Sequence, residues 1–488
     1  MFTKVFIFYN MQKSASKKVQ VSWAMYDWAN SVYNLVITAT FFPIYFLIVT
    51  KQPQWDNGKS VTVLGMKFIN SSLYDYCIGI AYFLIALCYP ILTSIADNRG
   101  AKKKFLKFFC YLGAIGCSSL FFFTKDSLWV GILGLMCGAM GYVGSLVFYN
   151  AFLPEIAAVE DRDRISAKGF AFGYIGSVIL QVIGFAMVTV MEDKLLAMRI
   201  TFLTVGIWWI GFAQITFKNL PETPIPATNK NNIFKEGFNN IKKVWHETRQ
   251  LPVLKRFLRA FFFYSMGVQT VMLAATQFGS QTLAMESTKL IASILTIQLV
   301  AIAGAFGMSK LSEKYGNIKV LMGVVCLWIF ICLAAFYTAN VAEPLAPYHD
   351  HVFNLENLRD GLKKGSAEFE RLENEITSYK ATFRHLQQPV EYMFYTIAVL
   401  VGLVMGGIQS LSRSTFSKLM PETKNTSSYF TYYDFNEKLA IVIGMICFGF
   451  IHEISGSMKF SVLNLVVFFA TGLVWLYFAL RKQKELAK

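Results

Sequence analysis

The chain has 488 residues, of which 55% are hydrophobic and only 16% charged, with a mean hydropathy of +0.44. A soluble protein of this length would carry about a quarter charged residues, so a soluble fold is excluded. The formal charge of +16 resides in short loops, with no basic stripe interleaved with aromatics outside them, and nucleic acid is excluded as a partner.

Apolar blocks recur along the chain, each long enough as helix to cross about 30 Å of hydrocarbon. They predict spans at 22–49, 74–95, 105–123, 128–151, 168–190, 199–217, 257–280, 290–309, 319–338, 391–411, 430–451 and 459–480. The blocks are continuously apolar rather than alternating, which excludes barrel strands and predicts an all-α membrane protein with twelve transmembrane helices. Residues 1–20 form a cytoplasmic N-terminal segment whose apolar stretch, Val5 to Tyr9, is too short for a secretory signal; Met11 is an alternative start.

In the first span Asp27, Asn30, Ser31, Asn34 and Thr38 fall at i, i+3, i+4, i+7 and i+11, a polar stripe on an apolar helix. A carboxylate there is costly unless it faces a cavity or a partner. Asp27 is therefore a proton-coupling candidate, with a structural ion pair or helix cap as the equal alternative. Two sequence pairs reveal an internal repeat. Asp97-Asn98-Arg99-Gly100 follows the second span and Glu313-Lys314-Tyr315-Gly316 the eighth, each ahead of a basic cluster. Leu153-Pro154-Glu155 follows the fourth span and Met420-Pro421-Glu422 the tenth. The offsets differ by the length of one polar insertion, at 341–390. Two six-helix halves, 21–217 and 257–480, are predicted to be pseudo-symmetric, as in the major facilitator fold.

The linker, 218–256, opens with Pro221-Glu222-Thr223-Pro224-Ile225-Pro226 and then places Ile233, Phe234, Phe238, Ile241, Val244 and Trp245 at helical spacing among lysines. It predicts a basic amphipathic helix on the cytoplasmic membrane surface. The insertion carries a three-four apolar stripe from Leu355 to Leu386, interrupted at Gly365-Ser366, and predicts a helical hairpin outside the membrane whose stripe packs on the ends of neighbouring helices. Lys and Arg gather in alternate loops and in the tail 481–488, which puts both termini in the cytoplasm. All eight cysteines lie in apolar spans without zinc-ligand spacing and read as packing residues; His349 and His351 read as solvated loop residues, so no metal is expected. No Walker loop, nucleophile elbow or zinc helix occurs, so no cofactor and no enzymatic activity are expected.

Three segments carry a resemblance. Val21-Ser22-Trp23-Ala24-Met25-Tyr26-Asp27-Trp28-Ala29-Asn30-Ser31, Phe148 to Ala157, and Gly406-Gly407-Ile408-Gln409-Ser410-Leu411-Ser412-Arg413-Ser414 are similar to the vacuole-effluxer branch of the major facilitator superfamily. That branch includes fungal autophagy-related vacuolar amino-acid exporters and bacterial relatives, and the chain resembles a bacterial-type member. Thr93, Asn98, Ser309 and Glu313 depart from the usual superfamily turn, and Thr93 and Ser309 predict a looser or rearranged gate. The resemblance implies a transporter in the bacterial inner membrane, acting as a monomer by alternating access on a small polar, amino acid-like solute, proton-coupled or facilitative. A lysolipid flippase and a non-transporting receptor are the alternatives. By superfamily analogy Asn30, Asn34, Tyr149, Asn150, Tyr264, Gln269 and Gln409 are solute contacts. Asp97, Lys102, Glu155, Arg162, Glu313, Arg413 and Asp434 are cytoplasmic gate candidates, with Arg413 expected to latch onto Asp434 and Glu155 onto Arg162 or Arg164. Asp97 and Glu313 are expected to cap or bridge neighbouring helix ends.

Overall fold

The computed structural model describes residues 14–50, 60–63, 65–222, 233–360, 362 and 365–487. Residues 1–13, with the Val5–Tyr9 stretch and Met11, and the Thr223–Pro226 part of the linker lie outside the described residues.

The chain is built of long helices because an apolar segment in hydrocarbon must satisfy its own backbone hydrogen bonds. The first span is α1 (Lys17–Val32), a π-helical stretch (Tyr33–Phe41) and α2 (Phe42–Val49) in one run. The first half continues with α3 (Asn70–Asn98), α4 (Lys102–Ser119), α5 (Leu128–Ala151), the single turn α6 (Leu153–Ile156), α7 (Arg162–Val190) and α8 (Lys194–Asn219). The linker is α9 (Ile233–Gln250). The second half holds α10 (Pro252–Gln277), α11 (Ser287–Tyr315), α12 (Asn317–Ala342), the insertion helix α13 (Ala346–Asp360), α14 (Ala367–Leu419), α15 (Thr426–Ser455) and α16 (Met458–Ala487). Among the described residues, 12 helices are long and apolar enough to cross a membrane. Most run past the predicted spans at one or both ends, because polar turns outside the hydrocarbon continue the helix without contributing to the apolar pattern.

Large side chains such as Phe83, Ile115, Ile207, Phe330 and Ile446 are exposed on the outer surface of the bundle. Water would penalise that surface, whereas lipid does not. Two of the cysteines expected to pack, Cys88 and Cys326, are also exposed. Counting crossings puts the linker and the end of α16 on the same side as the start of α1, here the linker face. The insertion lies on the opposite face.

Two features correct the sequence expectations outside the bundle. A hairpin of β1 (Ser60–Val63) and β2 (Met66–Ile69), with Val61 opposite Phe68, joins the first two spans. Strands of four residues are too short for alternation to show in sequence. The insertion does form a hairpin, turning near Gly365, whose φ of +83° suits glycine. Its stripe, however, packs on itself: Val352, Leu355 and Ile376 make a small core separate from the main one, and Tyr348 stacks on Tyr379 at 5.0 Å. Leu358 and Leu386 stay exposed. The hairpin joins the bundle where Gln387 donates to the Leu283 carbonyl at 2.9 Å and Lys289 meets Glu391 at 2.6 Å.

The linker helix braces both halves. Asn240 donates to Ser94 of α3 at 3.0 Å, and the hydroxyl of Tyr429 on α15 donates to Glu247 at 2.8 Å. Val244 is buried, whereas Lys242, Lys243 and Trp245 are exposed. The amphipathic face expected to meet lipid thus also meets protein. Just before the linker helix, Lys103 donates to Glu222 at 2.8 Å and holds its carboxyl below the usual range. That contact contributes above the ordinary Glu pKa and is lost as pH falls through the depressed one.

Candidate functional site

Arg413, at the linker-face end of α14, reaches out of its own half into a box made by the other. Its Nη1 donates to Asp27 Oδ2 on α1 and to Asn150 Oδ1 on α5, each at 3.2 Å. Its Nε donates to the Ser166 hydroxyl at 2.9 Å and its Nη2 to the Ser166 carbonyl at 2.8 Å, both on α7. Tyr149 donates to the same Asp27 oxygen at 2.8 Å and stacks on Trp23 at 4.4 Å. The guanidinium sits 4.2 Å from the Phe170 ring and 4.9 Å from that of Trp23. Both ends of the Asp27–Arg413 pair are buried, at 7% and 3% side-chain exposure. In that setting the attraction is strong, and so is the cost of losing one partner.

The box closes because α7 carries no side chain at Gly169. A Cβ there would lie 2.5 Å from Asp27 Oδ2, 2.9 Å from Arg413 Nη2 and 3.0 Å from the Tyr149 hydroxyl. Gly169→Ala is expected to push the pair apart, destabilise the folded protein by about 1–3 kcal/mol as overpacking does, and cut transport more than stability. A variant with wild-type melting temperature and wild-type flux would show that the box tolerates the methyl.

Around the box the halves are sewn together along the linker face. Asp97, at the end of α3, accepts from the backbone N–H groups of Ser427 and Ser428 at 3.0 and 2.9 Å and from the Ser428 hydroxyl at 2.7 Å, capping α15 in the other half. Lys102 pairs with Glu155 and donates to Thr426 at 2.6 Å. Arg162 donates to the Ser417 carbonyl at 2.5 Å. Asp163, fully buried at the start of α7, accepts from Lys418 at 2.6 Å, Ser312 at 2.7 Å and Asn317 at 2.6 Å, all on the second half.

Several expectations are corrected by this geometry. Arg413 does not meet Asp434, which instead lies 3.8 Å from Lys438 on its own helix. Glu155 pairs with Lys102 and not with Arg162 or Arg164. Glu313 is exposed and caps no helix among the described residues; its neighbours Ser312 and Asn317 make the contact that the repeat assigned to it. Thr93 and Ser309, expected to loosen the turns, are buried, and the Thr93 hydroxyl donates to the Tyr89 carbonyl at 2.7 Å. The polar stripe does not stay on one regular α-helix: Asp27, Asn30 and Ser31 lie on α1, whereas Asn34 and Thr38 lie in the π-helical stretch, where the residue spacing per turn is wider. Asn30 is buried, its amide nitrogen without a partner among the described residues, and Asn34 is exposed.

The remaining candidates lie deeper along the seam. Gln409 accepts from the Tyr174 hydroxyl at 2.6 Å across the halves. Gln269 donates to Glu437 at 3.0 Å, and Tyr264 bonds Ser412 at 2.7 Å. Lys438 lies 3.8 Å from Asp434, 3.9 Å from Glu437 and 5.8 Å from the ring of Tyr82 in the first half. Among the described residues no group of three His, Cys, Asp or Glu is placed to hold a metal ion. Asp163, Ser166 and Tyr174, which complete the seam, carry no local sequence signal.

The profile of the family described as "Vacuole effluxer Atg22 like" matches residues 15–346 and 379–487. The chain belongs to that family. Its unmatched segment, 347–378, is most of the insertion hairpin. The uncharacterised MFS-type transporter YxiO of Bacillus subtilis is 27% identical over 94% of each chain. Autophagy-related protein 22 of Gibberella zeae is 21% identical, covering 98% of this chain and 81% of the relative. Among solved structures, the human organic anion transporter MFSD10 aligns with a TM-score of 0.65 at 12% identity over 94% and 99% of the two chains. The Escherichia coli fucose:proton symporter FucP aligns at 0.61 with 13% identity over 95% and 97%. These likenesses establish the major facilitator fold. The protein is a multi-pass MFS-type transporter of the Atg22-like family and not an enzyme.

Proposed function

We propose that the protein moves a small polar, amino acid-like solute out of the cytoplasm by alternating access, as a monomer in a bacterial inner membrane, with its linker face and both termini cytoplasmic. The observation that carries this reading is the Asp27–Arg413 pair, a buried charge contact made only while the two halves meet on the linker face. When the halves part there, Arg413 leaves with the second half and Asp27 stays with the first. A carboxylate left without its cation in a low-dielectric seam is neutralised by a proton, which ties gate opening to proton uptake. Lysines and arginines concentrated on the linker face support the orientation. Efflux is supported by the family's description.

The solute path runs past Asn30, Asn34, Gln269 and Gln409, with Lys438, Glu437 and Asp434 beside Gln269. Partners of both signs next to neutral amides suit a zwitterion better than a polyanion. Thermal stability of the purified protein, screened with amino acids, short peptides, nucleosides, sugars and lysolipids at about pH 5.5 and about pH 7.5, tests this, since a ligand of the folded state raises the melting temperature by mass action. The expected result is a shift with amino acids or peptides that depends on pH, a dependence lost in Asp27→Asn. A shift with lysolipids alone would overturn the reading in favour of a flippase.

The insertion gives a second check. Tyr348 and Tyr379 touch, so a short Gly-Ser loop can replace 349–378 without stretching the chain. Liposome flux is expected to survive that replacement. Loss of flux with an intact fold would make the hairpin part of the transport cycle.

A further inference from the structure

On the linker face a cavity of about 340 Å³ opens between α9, α10 and α15. Its size is at the lower end of the range for small-molecule sites, about 300–1,000 Å³. Three cations line it: Arg249 at the end of α9, and Lys255 and Arg259 in the first turns of α10. Among the described residues none of the three forms a salt bridge, and no carboxylate lines the cavity. Glu247, two residues before Arg249, is turned away to Tyr429 and Lys243. Thr248, only 3% exposed, also lines the cavity, and among the described residues its buried hydroxyl has no hydrogen-bond partner.

The cations are pre-positioned. The Arg249 guanidinium lies 3.6 Å from the Trp245 ring and that of Arg259 lies 4.5 Å from the Trp475 ring. Stacking holds a guanidinium by its face and leaves its edge N–H groups for an acceptor with several oxygens. The rest of the wall is Trp245, Leu258, Phe262, Phe263, Tyr432 and Asn436, at the point where α10 enters the hydrocarbon. A cationic cleft backed by aromatics at the membrane border fits a ligand with an anionic head and an apolar tail.

We propose that this cavity binds a phosphate group, carried by the headgroup of an anionic phospholipid in the linker-side leaflet. Arg249, Lys255 and Arg259 neutralise the phosphate, the Thr248 hydroxyl donates to it, and the acyl chains lie along Phe262 and Phe263. The site is independent of the Asp27–Arg413 box and of the solute.

Thermal shifts and native mass spectrometry of the full-length protein in neutral detergent, titrated with dioctanoylphosphatidylglycerol, dioctanoylphosphatidylcholine or inorganic phosphate, test the proposal. Phosphatidylglycerol is expected to bind at least about tenfold more tightly than phosphatidylcholine, and more weakly as salt rises. Each of Arg249→Gln and Arg259→Gln is expected to weaken it about fivefold, the effect of one basic group near an anionic surface. Thr248→Val, which keeps side-chain volume, gives an independent variant if the arginine changes impair folding, and is also expected to weaken binding several-fold. Equal binding of the two lipids, or unchanged phosphatidylglycerol binding in all three variants, would overturn the site. Inorganic phosphate matching phosphatidylglycerol, with the same losses in the variants, would overturn the lipid as the source of the anion.

Discussion

Replacing Arg413 by Leu is expected to lower the stability of the protein by about 3–5 kcal/mol, the usual cost of leaving a buried charge without its partner, and to stop transport. The change removes the one cation that, among the described residues, pairs with Asp27, and takes away the Arg413 donor to the Ser166 carbonyl and the Asn150 amide oxygen. The Asp27→Asn variant is expected to be much milder. Its amide oxygen still accepts from Tyr149 and from Arg413, and the Arg413 guanidinium, left without its counter-ion, keeps its bonds to Asn150 and Ser166. Combining Asp27→Asn with Arg413→Leu is then expected to recover part of the stability lost in Arg413→Leu alone, while transport stays absent. Thermal unfolding of the four proteins in one detergent closes the double-mutant cycle, and a coupling of at least about 1.5 kcal/mol is expected. Additive losses would mean that the two groups sit together without depending on each other, and the coupling role of Asp27 would fall with them.

How much of this was legible in the sequence depends on the range of the interaction. Long apolar runs specify helices locally, so the twelve crossings could be placed with only their polar ends missed. The repeat of Leu153-Pro154-Glu155 as Met420-Pro421-Glu422 survives an insertion because each copy is read within a few residues. Partners across the seam have no such signal. Chain order points Arg413 to Asp434, 21 residues away and on the next helix, whereas its partner Asp27 is 386 residues away in the other half. Asp97 could be read as a helix cap, but the helix it caps, α15, could not be named from chain order. Asp163 went unnoticed because it stands among Glu160, Asp161, Arg162 and Arg164, a composition typical of a solvated turn. Only packing reveals that of these five neighbours Asp163 alone is wholly buried. The π-helical stretch was hidden for a different reason. Leu35, Val36 and Ile37 suit either helix, so nothing in their local pattern marks the wider turn.

Asp163 is also where opening of the linker face is expected to be most sensitive. One carboxylate on α7 accepts from three groups of the second half, including the ammonium of Lys418 on α14 and Asn317 at the start of α12. Charge-assisted bonds of this kind contribute about 1.5–3 kcal/mol each. All three are made only while the halves are in contact, so their loss weakens the closed linker face and leaves each half largely unaltered. A loss of about 3 kcal/mol shifts a two-state equilibrium by more than a hundredfold. Asp163→Asn is therefore expected to convert a population closed on the linker face into one substantially open there. Spin labels at Lys104 on α4 and Lys424 before α15, both exposed and on opposite halves, report the separation directly once the exposed Cys88 and Cys326 are replaced. A longer and broader distance distribution is expected in Asp163→Asn, and a similar change in Lys418→Met, which removes the charged donor instead of the acceptor. If the distances stay as in the wild type in both variants, the Asp163 contacts follow closure without holding it, and the latch rests on Arg413, the Asp97 cap and the Lys102 and Arg162 contacts.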